Sequence, residues 1–168
     1  MKRTSLPLHF SAVALCALTF SGLACAQKPA PALRTLNVQG EVYASACTPQ
    51  NKSALQAQLT ADAWPLVETL LCEKKSPNSV GYISSHIGKT VKHETTSTGS
   101  PDRAKKVTVN AELIDSLLSE GQAWDADLTV EKSQIVVKFM PNEACVRSRT
   151  LQLAKKTWTV TELSEACD

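Results

Sequence analysis

The C-terminal segment, from Cys145 to Asp168, constrains the fold of this chain more than any other stretch, because its pattern favours a single strand pairing. A β-hairpin places apolar residues of its first strand opposite apolar residues of its second. A shift by one residue would pair Leu151 with a threonine and remove the shared apolar face. The expected pairs are Leu151 with Val160, Leu153 with Trp158, and Arg149 with Glu162.

The hairpin register also bears on how the cysteines pair. It places Cys145 opposite Ala166, so a frayed end or a bulge near Ser164 would bring Cys145 to Cys167. The four cysteines beyond the leader allow three pairings. None of them has the CxxC or CxxxC spacing of a zinc site, so no metal-ligating residue is predicted. The favoured disulfides are Cys145–Cys167 and, by elimination, Cys47–Cys72.

The N-terminus has the features of a secretion signal. Lys2 and Arg3 precede a mostly apolar stretch, residues 6–20, that is too short for a transmembrane helix. The sequence ACA just before Gln27 fits ordinary signal peptidase, which would remove residues 1–26. We therefore predict export to the periplasm of a Gram-negative cell as a soluble protein.

A second cleavage position stays open. Cleavage before Cys25 would leave a cysteine that can be lipidated and would make the chain an outer-membrane lipoprotein. This position fits less well, because Leu23 lies where a small residue is preferred. In either case residues 27–34 form a Pro/Ala-rich tether, and residues 35–168 are long enough for one disulfide-bonded domain.

The charge balance argues against two classes of partner. The chain has 18 basic and 16 acidic residues, and two of the basic residues but none of the acidic ones lie in the leader. The remaining chain is therefore formally neutral. A neutral chain of mixed charge gives no support for binding to nucleic acid or to an anionic membrane surface. Membrane contact is expected only if Cys25 is lipidated.

Apolar residues recur at helical spacing in three segments, residues 62–75, 76–88 and 110–121. Each segment starts with a residue type that caps helices, and the last two end in glycine, which stops them. The expected caps are Asp62, Ser76 and Asn110, and the expected stops are Gly88 and Gly121.

Strands are expected mainly in the second half of the chain. Residues 90–98 and 105–109 flank a polar loop and can form a hairpin, and a single strand is expected near residues 40–43. A further hairpin turns at Lys132 and Ser133. It pairs Val130 with Ile135 and Leu128 with Val137, so that both strands turn apolar side chains to one face. These elements predict an α+β fold: an antiparallel sheet of about four to six strands, with two to three helices packed on one face and two disulfides.

The sequence contains no recognised catalytic or cofactor-binding motif, such as GxSxG, HExxH, a Walker loop or GxGxxG. No catalytic or cofactor-binding residue is therefore predicted. His86 and His93 could join Glu94 as an acid–base cluster, which gives a small periplasmic hydrolase as one alternative. Ser85 and His86 are poor candidates for a nucleophile and its base, because adjacent side chains on a helix point about 100° apart.

The polar segment 95–106 is the one most suited to contact a partner. It lacks large apolar residues, contains turn-forming residues and ends in the cations Arg103, Lys105 and Lys106. Loops held by a rigid scaffold often carry recognition, and cations at a loop shoulder suit an acidic partner surface.

Export, disulfides, neutral charge and the lack of a catalytic motif together favour a binding function. We expect a periplasmic protein that neutralises a partner protein, as an inhibitor of a cell-wall hydrolase or as an immunity protein against a secreted antibacterial effector. Besides the hydrolase, the remaining alternative is an accessory envelope protein, lipid-anchored or not, of a secretion or surface system.

Overall fold

A computed structural model describes residues 36–38, 41–97, 100–101, 104–119 and 121–168. The predicted leader and tether, and Arg103 of the loop, lie outside the described residues. The helices are α1 Pro49–Gln56, α2 Trp64–Cys72, α3 Pro77–Ser85 and α4 Ala111–Leu117. The strands are β1 Leu36–Val38, β2 Glu41–Tyr43, β3 Ile87–Ser97, β4 Ser100–Pro101, β5 Lys105–Thr108, β6 Trp124–Val130, β7 Gln134–Asn142, β8 Cys145–Ala154 and β9 Thr157–Cys167.

Most strands join one sheet with the order β4-β3-β9-β8-β7-β6, and β5 also pairs with β3. Neighbouring strands are antiparallel except for β3 and β9, which run parallel. The C-terminal strand β9 therefore lies inside the sheet, between β8 and β3. Strand β2 lies where a strand was expected near residues 40–43, and it pairs with β1 in a separate two-stranded sheet. The predicted α+β class is confirmed.

Helices α2, α3 and α4 pack on one face of the sheet, which we call the helix face; the opposite side is the outer face. The core joins Leu66 and Leu70 of α2 and Ile83 of α3 to Val137 and Leu151 of the sheet, and all five side chains are fully buried. Within the described ranges, no helix has the length and apolar character needed to cross a membrane.

Two of the three expected helix caps are present. Ser76 and Ser79 form a reciprocal capping box at the start of α3, and Asn110 accepts a hydrogen bond from the backbone of Leu113 at the start of α4. Asp62 does not cap α2, because the helix starts after Ala63, which makes no side-chain capping bond. Asp62 instead accepts a hydrogen bond from Trp158 Nε1 at 3.1 Å, which ties the chain before α2 to β9.

The helix ends differ from the expected glycine stops. Helix α3 ends at Ser85, and Gly88 is already part of β3 because the chain enters the sheet directly. Helix α4 ends at Leu117, before Gly121, which adopts a positive φ of 77°. Helix α1 was not expected.

The β6–β7 and β3–β5 hairpins have the expected pairings. Leu128 lies opposite Val137 and Val130 opposite Ile135, as predicted. Val130 is nevertheless 45% exposed, since β6 is the edge strand and Val130 is its last residue. In the other hairpin, Val91 pairs with Val107.

The C-terminal hairpin follows the expected register up to one extra residue. Leu151 pairs with Val160 and Leu153 with Trp158, as expected. Thr161 is then an extra residue that forms a β-bulge, so that beyond it Thr150 pairs with Glu162. The predicted pairing of Arg149 with Glu162 is therefore wrong: Arg149 lies opposite Leu163. The bulge lies at Thr161 rather than near Ser164, and it brings Cys167 directly opposite Cys145. The disulfides are Cys145–Cys167 and Cys47–Cys72, the two pairs that the sequence favoured.

Candidate functional site: a cationic face on the sheet

Charged side chains gather at the end of the helix face beyond the bulge. Residues paired across neighbouring strands point to the same face of a sheet. One row crosses five strands as Lys105, His93, Leu163, Arg149 and Val137. The next row is Thr95, Glu165, Arg147 and Phe139. We call Arg147, Arg149 and Glu165 the arginine cluster, and the cluster together with Lys105 and His93 the cationic face.

Arg149 is a buried cation with an incomplete set of hydrogen bonds. It is 3% exposed, and its Nη1 donates to the backbone carbonyls of Ser148 at 3.0 Å and Ser164 at 3.3 Å. Its guanidinium carbon lies 5.8 Å from the centre of the Phe139 ring. Its Nε has no acceptor among the described residues. Burial, together with the nearby charge of Arg147, lowers the pKa of Arg149 to about 10 against the opposing effect of Glu165.

Arg147 supplies the second guanidinium of the cluster. Its Nη2 donates to Glu165 Oε1 at 3.1 Å, and the two side chains are 22% and 28% exposed. The Nε of Arg147 is buried and also has no acceptor among the described residues. Two guanidinium groups and one carboxylate leave the arginine cluster with a formal charge of +1.

The three predicted loop cations are not all on one surface. Lys105 pairs with His93, whereas Lys106 pairs with Lys92 on the outer face. There Lys92 lies 3.4 Å from Glu162. Lys105 therefore extends the cationic face, while Lys106 points away from it; Arg103 lies outside the described residues.

The structure does not bring the two histidines together. The carbonyl of His86 accepts a hydrogen bond from the backbone of Val160, whereas His93 pairs with Leu163, on the other side of the bulge at Thr161. Glu94 follows His93 in the strand and so points to the outer face. The three side chains do not form the expected acid–base cluster.

Ser85 and His86 do come into contact, contrary to expectation, because His86 lies at the end of α3 where the backbone leaves the helix. Ser85 Oγ is 3.0 Å from His86 Nδ1, and the histidine ring stacks on Tyr82 with a centroid distance of 4.2 Å. Ser85 Oγ donates to the Tyr82 carbonyl at 2.7 Å, and Nδ1 lies 2.9 Å from the same oxygen. The serine proton is thus directed to the carbonyl rather than to the imidazole, which fits a helix end and not an activated nucleophile.

Two other features adjoin the cationic face. A shallow groove of about 320 Å³ runs between the sheet and α4, with His93 and Leu113 among its lining residues. The side chains of Cys145, Glu165 and Cys167 place metal-ligating atom types within 4.8 Å of one another. Both sulfurs are bonded to each other, so this group offers a metal only one carboxylate.

Sequence reasoning missed the arginine cluster, although a signal was present. Arg147 and Arg149 alternate with Leu151 along β8, so all three share one face of the strand. A charged residue in phase with a buried leucine marks a buried cation that needs partners. The signal was missed because the expected register already paired Arg149 with the carboxylate of Glu162.

Comparison with known proteins gives this arrangement no family name. No protein-family model and no curated protein matches the chain. Among solved structures, a DUF4783 family protein from Bacteroides fragilis YCH46 is 8% identical, with a TM-score of 0.38 over 66% of this chain and 99% of that chain. An NTF-2 like protein of unknown function from Silicibacter pomeroyi DSS-3 is 10% identical, with a TM-score of 0.42 over 67% of this chain and 98% of that chain.

A third solved structure, an NTF2-like protein with a cystatin-like fold from Novosphingobium aromaticivorans, is 13% identical, with a TM-score of 0.39 over 71% of this chain and 90% of that chain. Similarities this low assign neither a family nor a function. The fold and the site themselves define a small disulfide-bonded α+β protein with a cationic face at one end of its sheet.

Proposed function

We propose that this chain is an exported binding protein that neutralises an acidic partner protein, as an inhibitor of a cell-wall hydrolase or an immunity protein against a secreted antibacterial effector. The leader, residues 1–26, supports export, and two disulfides suit an oxidising compartment such as the periplasm. The cationic face is the observation that carries the proposal.

The charge of the cationic face is concentrated against a neutral background. Lys105, Arg147, Arg149 and Glu165 give it a formal charge of +2, whereas the chain beyond the leader is formally neutral. Exposure increases across its first row, from buried Arg149 through half-buried His93 to exposed Lys105. An acidic partner would meet the exposed lysine first and the arginines at closer approach. Such an arrangement accelerates association and gives specificity.

Two adjacent lysines provide a matched pair of variants. Lys105→Glu and Lys106→Glu change the charge of the chain equally, at neighbouring exposed positions of β5, but on opposite faces of the sheet. The purified proteins are used as bait in envelope extract, and the retained protein is then purified and its association rate measured at two salt concentrations.

The proposal expects Lys105→Glu to slow association of the retained partner at least about tenfold and Lys106→Glu to leave it nearly unchanged, with a difference that shrinks at high salt. Equal association by both variants and the wild type would refute binding through the cationic face. Neutralisation is tested by measuring the partner's activity with and without this protein. A partner that stays fully active when saturated with this protein would contradict the proposed role.

The proposed location has its own test. Signal peptidase cleavage gives a periplasmic protein whose intact mass corresponds to a chain starting at Gln27. A mass that includes a diacylglycerol on Cys25 would replace the soluble periplasmic form with an outer-membrane lipoprotein.

A further inference from the structure

We propose that Arg147 and Arg149 form a receptor for a single carboxylate group, which an acidic residue of the partner inserts between the sheet and its helices. This inference deepens the proposed function, on which it rests for the source of the carboxylate. The chemistry of the receptor itself follows from the hydrogen bonds that the two arginines make and leave unmade.

Arg149 keeps one edge of its guanidinium for an outside acceptor. Its Nη1 is bound by the carbonyls of Ser148 and Ser164, which hold the group in place against β9. The opposite edge carries Nε, which has no acceptor among the described residues, beside Nη2. Nε and Nη2 are the parallel donors with which an arginine binds both oxygens of a carboxylate. The buried group is therefore fixed with its carboxylate-binding edge unused.

Arg147 repeats this pattern one step along the strand. Glu165 takes one hydrogen bond, from Nη2, and leaves the Nε of Arg147 unpaired among the described residues. Arg147 and Arg149 are two residues apart on the same face of β8, which separates their backbones by about 6.6 Å. One anion lying between the two side chains can thus accept hydrogen bonds from both.

Charge favours a carboxylate over a phosphate. The arginine cluster has a formal charge of +1, which a carboxylate neutralises, whereas a phosphate dianion would leave a net negative charge beside Glu165. In a site of low dielectric constant, an unneutralised charge is strongly disfavoured. The partial exposure of Arg147 and Glu165, 22% and 28%, provides the side from which the group enters.

The test needs only the purified protein and small anions. Spectra of ¹⁵N-labelled protein that resolve the arginine Nε–H groups are recorded while sodium acetate, sodium phosphate or sodium chloride is added at constant ionic strength. Arg147→Lys and Arg149→Lys assign the two cluster signals, and the signals of Arg34 and Arg103 serve as internal comparison.

The inference expects saturable shifts of the Arg147 and Arg149 signals with acetate, and weaker or unsaturated shifts with phosphate and chloride. Arg149→Lys keeps the charge but loses the paired donors, so it should weaken acetate binding, followed through Arg147, at least about tenfold. Lys106→Glu, on the outer face, should bind acetate like the wild type.

Shifts of the cluster signals that are no larger with acetate than with chloride in the wild-type protein would overturn the receptor, without reliance on any variant's folding. Saturation by phosphate but not by acetate would overturn the choice of carboxylate. The acetate titration contains no partner protein, so its outcome is independent of the association experiment with Lys105→Glu. If acetate binds but the association of the retained partner does not depend on Lys105, the proposed function is refuted and the receptor stands.

Discussion

Replacing Arg149 by methionine should stabilise this protein. The substitution removes a 3% exposed cation and puts an unbranched apolar side chain of similar reach in its place, beside Phe139 and Leu163. Exchange of buried charged groups for apolar residues of similar volume is often neutral or stabilising, because the desolvation penalty of the charge disappears.

The expected gain follows from the pKa of Arg149. The pKa is lowered to about 10, so the charged form is disfavoured in the folded protein by about 3 kcal/mol at about 1.4 kcal/mol per pKa unit. A pKa below the unfolded value means that this penalty is present in full at pH values under 10, including neutral pH. Loss of the bonds to the Ser148 and Ser164 carbonyls offsets about 1–2 kcal/mol. The net expectation is a rise of about 1–2 kcal/mol in the free energy of unfolding.

Urea unfolding at pH 7 under non-reducing conditions measures this difference, and a rise in Tm of roughly 4 °C per kcal/mol should accompany it. Arg147→Met is the matched control: it removes a partly exposed ion pair with Glu165 and should lower stability by no more than about 1 kcal/mol. A loss of stability above about 1 kcal/mol for Arg149→Met would show that the guanidinium stabilises the fold, and it would refute the reasoning from burial.

Three further variants test separate parts of the fold. Lys156→Gly should raise the free energy of unfolding by about 0.5–1 kcal/mol in urea titrations, since Lys156 has a φ of 69° in the two-residue turn before β9; a loss would mean that the turn is not strained. Asp62→Ala should be less stable than the wild type at neutral pH, and this difference should disappear in acid. Hydrogen bonds, mainly from the Thr60 side chain and then from the backbone, lower the pKa of Asp62, and they are lost when the carboxylate is protonated. Thermal melts from pH 7 down to about pH 2 check this, and a deficit that persists at the acid end contradicts it. Replacement of Cys145 and Cys167 by alanine should lower stability by about 3 kcal/mol for a sequence separation of 22, as measured by urea unfolding against the oxidised wild type under non-reducing conditions; equal stability of the two proteins would contradict a stabilising crosslink.

Local sequence patterns predicted the hairpins and most helices, but they did not predict pairings between strands that are distant in the sequence. Hairpin registers were readable because alternating apolar residues sit next to short turns, as with Leu128 and Val137. The parallel pairing of β3 with β9 joins distant segments and leaves no period in the sequence. Helix α1 was missed because the side it buries contains Asn51 beside Ala54 and Leu55, so its apolar stripe is weak.

The candidate site depended on one residue that no pattern marks. An uninterrupted ladder would have paired Arg149 with Glu162 as a buried ion pair. The extra residue, Thr161, turns Glu162 to the outer face and sets Leu163 opposite Arg149. Threonine suits regular strands as well as bulges, so its position gives no warning of the change.

The bulge at Thr161 has a companion. In the neighbouring strand, β3 is irregular between Ile87 and Lys92, which pair with the residues on either side of that bulge. Bulges bend strands and increase their twist, so two central strands bend at the same level. Beyond this bend the arginine cluster lies among the buried core residues Leu163, Val137 and Phe139. Substitutions at exposed positions such as Lys105 can therefore change what this surface recognises, while the buried apolar residues beside the arginines continue to maintain the fold.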